Sequence, residues 1–428
     1  MKKMMRVAVL LLAVLMLLTA CGSQQAPEEA PTGENSANTE FVPQLDTEAS
    51  VSIEAAVFFG NFEALDQVIN HFNEYYPNVT ITYEQIGDSN PEFLSANPSV
   101  DIFMTSPAKG YAEDYCVDLA EAGVDTSAVA DGMLAAETVD GKLLALPMGL
   151  TLKGIVVNKT LLANEGLEVP ETWSDFLDVL AALKEKGYTP LQGPSNVLGL
   201  LCYNMGMDLL SSDPALYAAV CSGDAEGAAA LKEVYERVLA LQEYISPEVN
   251  AEYPDDNYDG AILKFFEGDV PFWVCDTEKV SGMKKRETKS EAFSANPFEY
   301  EFKYVPMGDN GVYEYIEPWY GFAVNTNSDA KDYAVEFLRF MARQDELNTL
   351  ASVKGVPSVA RETTDERYAA LNNVEKVEMK VASDGTVPAY IGTLLKNSVN
   401  DLLSGSFADA DATVAAFASA CAESVQGG

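Results

Sequence analysis

Asp140 to Pro190 reads DGKLLALPMGLTLKGIVVNKTLLANEGLEVPETWSDFLDVLAALKEKGYTP. An apolar strand runs into a Pro–Met–Gly turn, a second apolar run follows, and a capped helix closes the stretch. Thr172 stands where an N-cap belongs, and Asp175 three residues on completes a capping box. Trp173, Phe176, Leu177, Leu180 and Leu183 fall on one helical face. Lys184 and Lys186 occupy the last turn, where cations suit the helix dipole, and Gly187 and Pro190 end the element.

Three words in this stretch come in order: DGK-x-L-ALP, VNK-x-L and P-x-TW-x-DF…L…KG. Together they closely resemble the central signature of the family 1 extracellular solute-binding proteins. The resemblance implies a bilobal α/β "flytrap" of the periplasmic type II kind, its lobes joined by three crossings. It places these near Leu150–Thr151, Pro306 and Lys354–Gly355. The first lobe is then 50–150 with 307–354, and the second is 151–306 with 355–428. It also implies a carbohydrate cargo held between the lobes, a membrane permease of an ABC importer as partner, and no catalysis.

Upstream, Met1–Ala20 carries Lys2, Lys3 and Arg6 before an apolar core from Val7 to Leu18. That core is short for a membrane span and fits a signal peptide. Leu18-Thr19-Ala20-Cys21 resembles a bacterial lipobox, which implies a lipid on the Cys21 thiol and a body tethered to the outer face of the cell membrane. Residues 21–49 are polar, rich in Gln, Glu, Pro, Ser and Thr, and predict a flexible tether.

Composition excludes whole classes. With 66 acidic against 27 basic residues, the net charge of −39 repels nucleic acid and argues mildly against anionic ligands. Five cysteines remain beside Cys21, without C-x-x-C spacing, and the chain has one histidine, His71. Zinc sites and Ser–His or Cys–His nucleophiles therefore lack support, and no cofactor is expected. His71 lies off the apolar face of its helix and predicts a plain surface residue.

The folded body is expected from Val51. Val51–Phe59, a helix with Phe62, Leu65, Ile69, Phe72 and Tyr76 on one face, Val79–Ile86 and Val100–Met104 give a strand–helix–strand order. That order predicts parallel pairing with right-handed crossover. Ligands in open α/β sheets sit beyond the carboxyl ends of strands. Asn61, Thr105 and Ser106 fall at such ends and match positions where the family places polar contacts; capping or turn roles compete for them.

Further along, GDVPFWVCDTE from Gly268 keeps the family's apolar strand but has Asp276 and Glu278 where Gly and Trp would stand. Those acids predict hydrogen bonds from ligand hydroxyls, or a cationic cargo such as a polyamine as an alternative. Trp273 reads as core, and Lys284-Lys285-Arg286 as a solvated turn. Ser328 predicts a helix cap. Trp319, between Pro318 and Tyr320, is expected to stack on a sugar ring, with packing between the lobes as core the competing role. Tyr203 and Tyr390 complete the candidate set, Tyr390 from a cleft-facing part of the family pattern. A monomer is expected; a surface sensor or adhesin on the same fold is the remaining alternative.

Overall fold

The computed structural model describes residues 40–105, 115–130, 132–194, 196–253, 258–308, 316–363, 365–368, 387 and 389–427. The signal segment, Cys21 and Ser106 lie outside them. No described helix is long and apolar enough to cross a membrane.

The first sheet takes strands β1 (Val51–Val57), β2 (Val79–Gln85) and β3 (Ile102–Thr105) in the order β2-β1-β3. β1 pairs parallel with both neighbours, as the strand–helix–strand order predicts. Between β1 and β2 runs α1 (Glu63–Asn73), which buries Leu65, Val68 and Phe72 on the sheet. α2 (Pro91–Ala96) precedes β3 and is capped by the Asn90 side chain. A two-stranded ribbon, β4 (Thr138–Val139) with β5 (Lys142–Leu143), leads to β6 (Leu146–Pro147).

The second sheet is built around β7 (Leu150–Asn158). α3 (Lys159–Asn164) and α4 (Trp173–Glu185) follow it, then β8 (Leu191–Gln192). Thr172 accepts the Asp175 N–H at 3.2 Å, so it is the N-cap as expected, and its hydroxyl donates to the Asp175 carboxylate at 2.7 Å, a side-chain bond in place of the box's return bond to the Thr172 backbone N–H. Helices α5 (Val197–Ser212), α6 (Pro214–Ser222), α7 (Lys232–Leu241), α8 (Pro247–Asn250) and α9 (Tyr258–Phe265) precede β9 (Phe272–Asp276). α10 (Thr277–Glu287), α11 (Glu291–Ala295) and β10 (Tyr300–Lys303) follow. Strand order is β10-β7-β9-β8, and one face is covered by a core that includes Phe176, Tyr235 and Phe272. Helix 389–403 and the C-terminal helix Ala410–Gly427 complete that cover. Lys284, Lys285 and Arg286 occupy the last turn of α10 rather than a loose turn, where cations complement the helix dipole.

The lobes exchange chain at three places. β7 leaves the first sheet's edge at Met148-Gly149. β11 (Ile316–Pro318) pairs with β7, and β12 (Gly321–Val324) pairs with β3 and β6. The second crossing is therefore Trp319–Tyr320, not the neighbourhood of Pro306. Both β10 and β11 still belong to the second sheet because each finds its partner along the nine residues of β7. α12 (Lys331–Met341) and α13 (Gln344–Lys354) return to the first lobe. The third crossing is drawn out: Gly355 lies against Ser281, Ala360 still bridges to Val129, and Tyr368 reaches Phe302. The crossings are tied together through the backbone, Trp319 main-chain N–H donating to Gly149 O at 2.8 Å and Leu150 main-chain N–H to Pro357 O at 3.0 Å. A Cβ on Gly149 would meet Val356 at 2.7 Å, so this close approach requires glycine.

Three local expectations change. The end of the supposed tether is structured: Phe41 is buried edge-on against Tyr75 and Phe340, and Gln44 N–H donates to Glu336 at 2.9 Å. Phe41 and Leu45 supply the apolar anchor that the surrounding polar residues conceal. Ser328 does not cap α12, whose N-cap is Ala330 with no side-chain cap bond; the Ser328 hydroxyl donates to Asp101 and accepts from Ala330 N–H. His71 is no plain surface residue, since its Nδ1 lies 2.9 Å from the carboxylate of Glu346, which burial pushes above the usual range.

Candidate functional site

The carboxyl edge of the first sheet collects β1's exit at Phe58-Phe59, the end of β3 at Thr105 and the start of β12. Gly321 pairs with both Thr105 and Pro147, so these residues share one rim. Thr105 is fully buried and its hydroxyl has no partner among the described residues. Glu137, also fully buried, brings its carboxyl to 3.2 Å from where a Cβ of Gly321 would stand. A side chain at 321 would strike that acid, so glycine admits it to the rim. Nothing in the local pattern around Glu137 marks it beforehand, because an Ala-Ala-Glu turn looks like any solvated corner.

The corresponding edge of the second sheet holds Lys153, opposite Asp276 in the β7–β9 register, and Asn196 beyond the end of β8. A cavity of about 250 Å³ opens here, lined by Asn196, Tyr253, Trp273, Asp276 and Lys279 among others. Trp273 is 1% exposed, stacked between Tyr253 and Phe265 at centroid distances of 6.4 and 5.6 Å. The core expectation for its ring is met, yet among the described residues its indole N–H has no acceptor and the Asn196 amide oxygen has no donor. Buried polar groups are normally paired, so an orphan donor and an orphan acceptor lining one cavity call for a ligand or water. Asp276 caps α10 by accepting Lys279 N–H at 3.1 Å and pairs with the Lys279 ammonium at 3.3 Å. A larger hollow of about 470 Å³, bounded by Phe293, Phe298 and Tyr300, lies at the opposite end of β7, since Tyr300 pairs with Asn158. It is away from both carboxyl rims.

Between the rims stands Trp319, 8% exposed. Phe59 and Tyr320 pack on it with centroids at 5.4 and 5.0 Å, and its Nε1–H donates to Glu278 at 2.8 Å. Glu278 sits in the first turn of α10, so this bond ties the second crossing to the second lobe. The Lys354 ammonium lies 3.7 Å above the Phe59 ring and 5.3 Å from that of Trp319. Burial lowers its pKa, against an upward pull from Glu278.

The candidate residues thus separate. Glu278 and Trp319 meet, Asp276 borders the cavity, and Thr105 lies on the first rim. Asn61 is exposed and bonded to Glu63 at 3.3 Å. Tyr203 is 4% exposed, with the Lys153 ammonium 4.1 Å and the Lys396 ammonium 5.3 Å from its ring centre. Tyr390 is 39% exposed on the first turn of its helix; burial raises its phenol, helped by Cys221 and Cys421 of the α6 and C-terminal helices.

Residues 59–346, more than half the chain, match the family described as bacterial extracellular solute-binding protein. The multiple sugar-binding protein of Streptococcus mutans is 38% identical over 52 residues, which is 12% of this chain and 12% of that protein. Among solved structures, the sugar-binding protein MalE from Xanthomonas citri aligns with a TM-score of 0.67 at 16% identity, covering 88% of this chain and 98% of that one. RafE in complex with raffinose aligns at 0.61 and 16%, covering 87% and 100%. A sugar transporter from Bacillus licheniformis in complex with stachyose aligns at 0.58 and 18%, covering 86% and 98%. At such identities the likeness carries the fold, and the fold is bilobal α/β.

Proposed function

We propose, from the premise that this chain belongs to the family of bacterial extracellular solute-binding proteins, that it captures a carbohydrate, an oligosaccharide in size, between its lobes. A solute-binding protein holds its ligand without transforming it. The observation that carries the carbohydrate reading is the second-lobe cavity, where the unpaired indole N–H of Trp273 and amide oxygen of Asn196 flank Asp276. A hydroxyl both accepts and donates, so one sugar hydroxyl can satisfy either orphan and a vicinal pair can satisfy both. The protein then passes its cargo to the permease subunits of an ABC importer while Cys21 anchors it by lipid, as a monomer. Both oxygens of Asp276 and one of Glu278 are already engaged, which disfavours a cationic cargo at this rim.

Thr105 and Glu137 offer the opposing polar contacts from the first rim. Trp319, its N–H held by Glu278, acts as the contact that the lobes share on closure. Ligand shifts the balance between open and closed forms only by its preference for one of them. Thermal-shift and titration calorimetry against neutral and acidic oligosaccharides, amino acids and polyamines test this. A saccharide that raises the melting temperature is expected; a response to polyamines or amino acids alone would refute the carbohydrate reading.

A further inference from the structure

In a chain of net charge −39, one groove of about 460 Å³ is lined by five cations, Lys284, Lys285, Arg286, Lys354 and Arg367, against a single carboxylate, Glu63, which accepts from Asn61 on the first-lobe wall. Three of these cations are neutralised nearby: Lys284 by Glu287, Arg286 by Asp259 and Arg367 by Asp365. Among the described residues Lys285 and Lys354 have no carboxylate within ion-pair distance. Lys354 is half-buried and held over the faces of Phe59, Trp319 and Phe62, at 3.7, 5.3 and 5.9 Å from their centres. Rings attract an ammonium but accept none of its N–H groups as an oxygen would. Among the described residues no oxygen accepts from this ammonium, so its donors face the groove free to meet the oxygens of an occupant.

α10 connects this groove to the site already described. Its first turn carries Asp276's partner Lys279 at the cavity, and its later turns carry Ser281 and Lys285 in the groove. Asn61 and Lys354 come from the first lobe and Ser281 and Lys285 from the second, so an occupant touches both. We propose that the groove binds an anionic substituent of the cargo, so that the transported carbohydrate is an acidic one bearing a carboxylate, with Lys354 and Lys285 as its recognition pair. This rests on the carbohydrate reading above. The overall charge argues against anions at long range, but recognition is decided over the few ångströms where Lys354 and Lys285 stand, and exposed charges farther off are screened within about 10 Å in salt.

Calorimetric titration of the full chain with a neutral series (maltotriose, raffinose, xylotriose) and an acidic series (trigalacturonate, a glucuronate-bearing xylotetraose) tests it. The expected result is an acidic ligand binding about tenfold or more tightly than any neutral one, with the advantage shrinking in salt. Lys285→Met, on an exposed residue, and Lys354→Met should each abolish that advantage, while Lys354→Arg retains it. Acidic ligands no tighter than neutral ones, or methionine variants that bind as the parent does, would overturn the inference and leave the carbohydrate reading standing. Silence of both series overturns the two together.

Discussion

Two tryptophans at the rims behave in opposite ways. Trp273 and Trp319 are both nearly buried, at 1% and 8% exposure, and both pack against aromatic rings. Trp319, on a crossing, has its indole N–H answered by Glu278 of the second lobe, whereas Trp273 has no acceptor for its indole N–H among the described residues, beside a cavity. Burial of the ring alone therefore does not distinguish a residue that holds the protein together from one that waits for a ligand. The fate of the polar atom does.

The largest effect expected from this contrast is on folding. Trp273→Ala removes an indole from between Tyr253 and Phe265 and should cost about 4 kcal/mol in denaturant melts. A cost under about 1 kcal/mol would mean the ring is not core. Replacing each tryptophan by phenylalanine keeps most of the ring and isolates the N–H. At 319 this removes an indole donor from a partly buried carboxylate, so Trp319→Phe should cost about 1 kcal/mol more stability than Trp273→Phe. Trp273→Phe should instead weaken ligand binding measured by calorimetry. Equal stability losses at the two positions would erase the distinction.

The smallest effect is a pH dependence. Burial depresses the pKa of Lys354 in the folded state, so the unfolded chain holds that proton more firmly. Its contribution to stability therefore rises with pH, from the depressed folded value up to the ordinary lysine value of about 10.4. Melts of the parent and Lys354→Met at pH 7 and pH 10 should show the parent gaining on the variant at the higher pH. Comparing the two cancels the many tyrosines whose pKa burial raises. A gap that widens in the variant's favour would contradict a desolvated Lys354.

Periodicity and capping chemistry made individual helices legible in both lobes: Phe62, Leu65 and Phe72 point to α1, and Thr172 to the start of α4. These signals are local, so they survive in one dimension. The second crossing was not legible, because which strand pairs with β7 depends on contacts between residues far apart in sequence. Phe41 was hidden for the same reason, its partners Tyr75 and Phe340 being remote. At the site, Trp319 and Glu278 could each be singled out, but not their bond. Glu137 was invisible because only Gly321, on another strand, makes room for it.

The ties between the crossings have a mechanical consequence. Three independent ropes would let one lobe swing, twist and slide against the other. Here Gly149 is clasped on one side by Trp319 and on the other by Val356 and Pro357, so the plies bend as a laminate. Relative motion of the lobes is thereby reduced toward a single axis. A ligand that touches either rim works the same lever, and the entropy surrendered on closing is that of one coordinate rather than several.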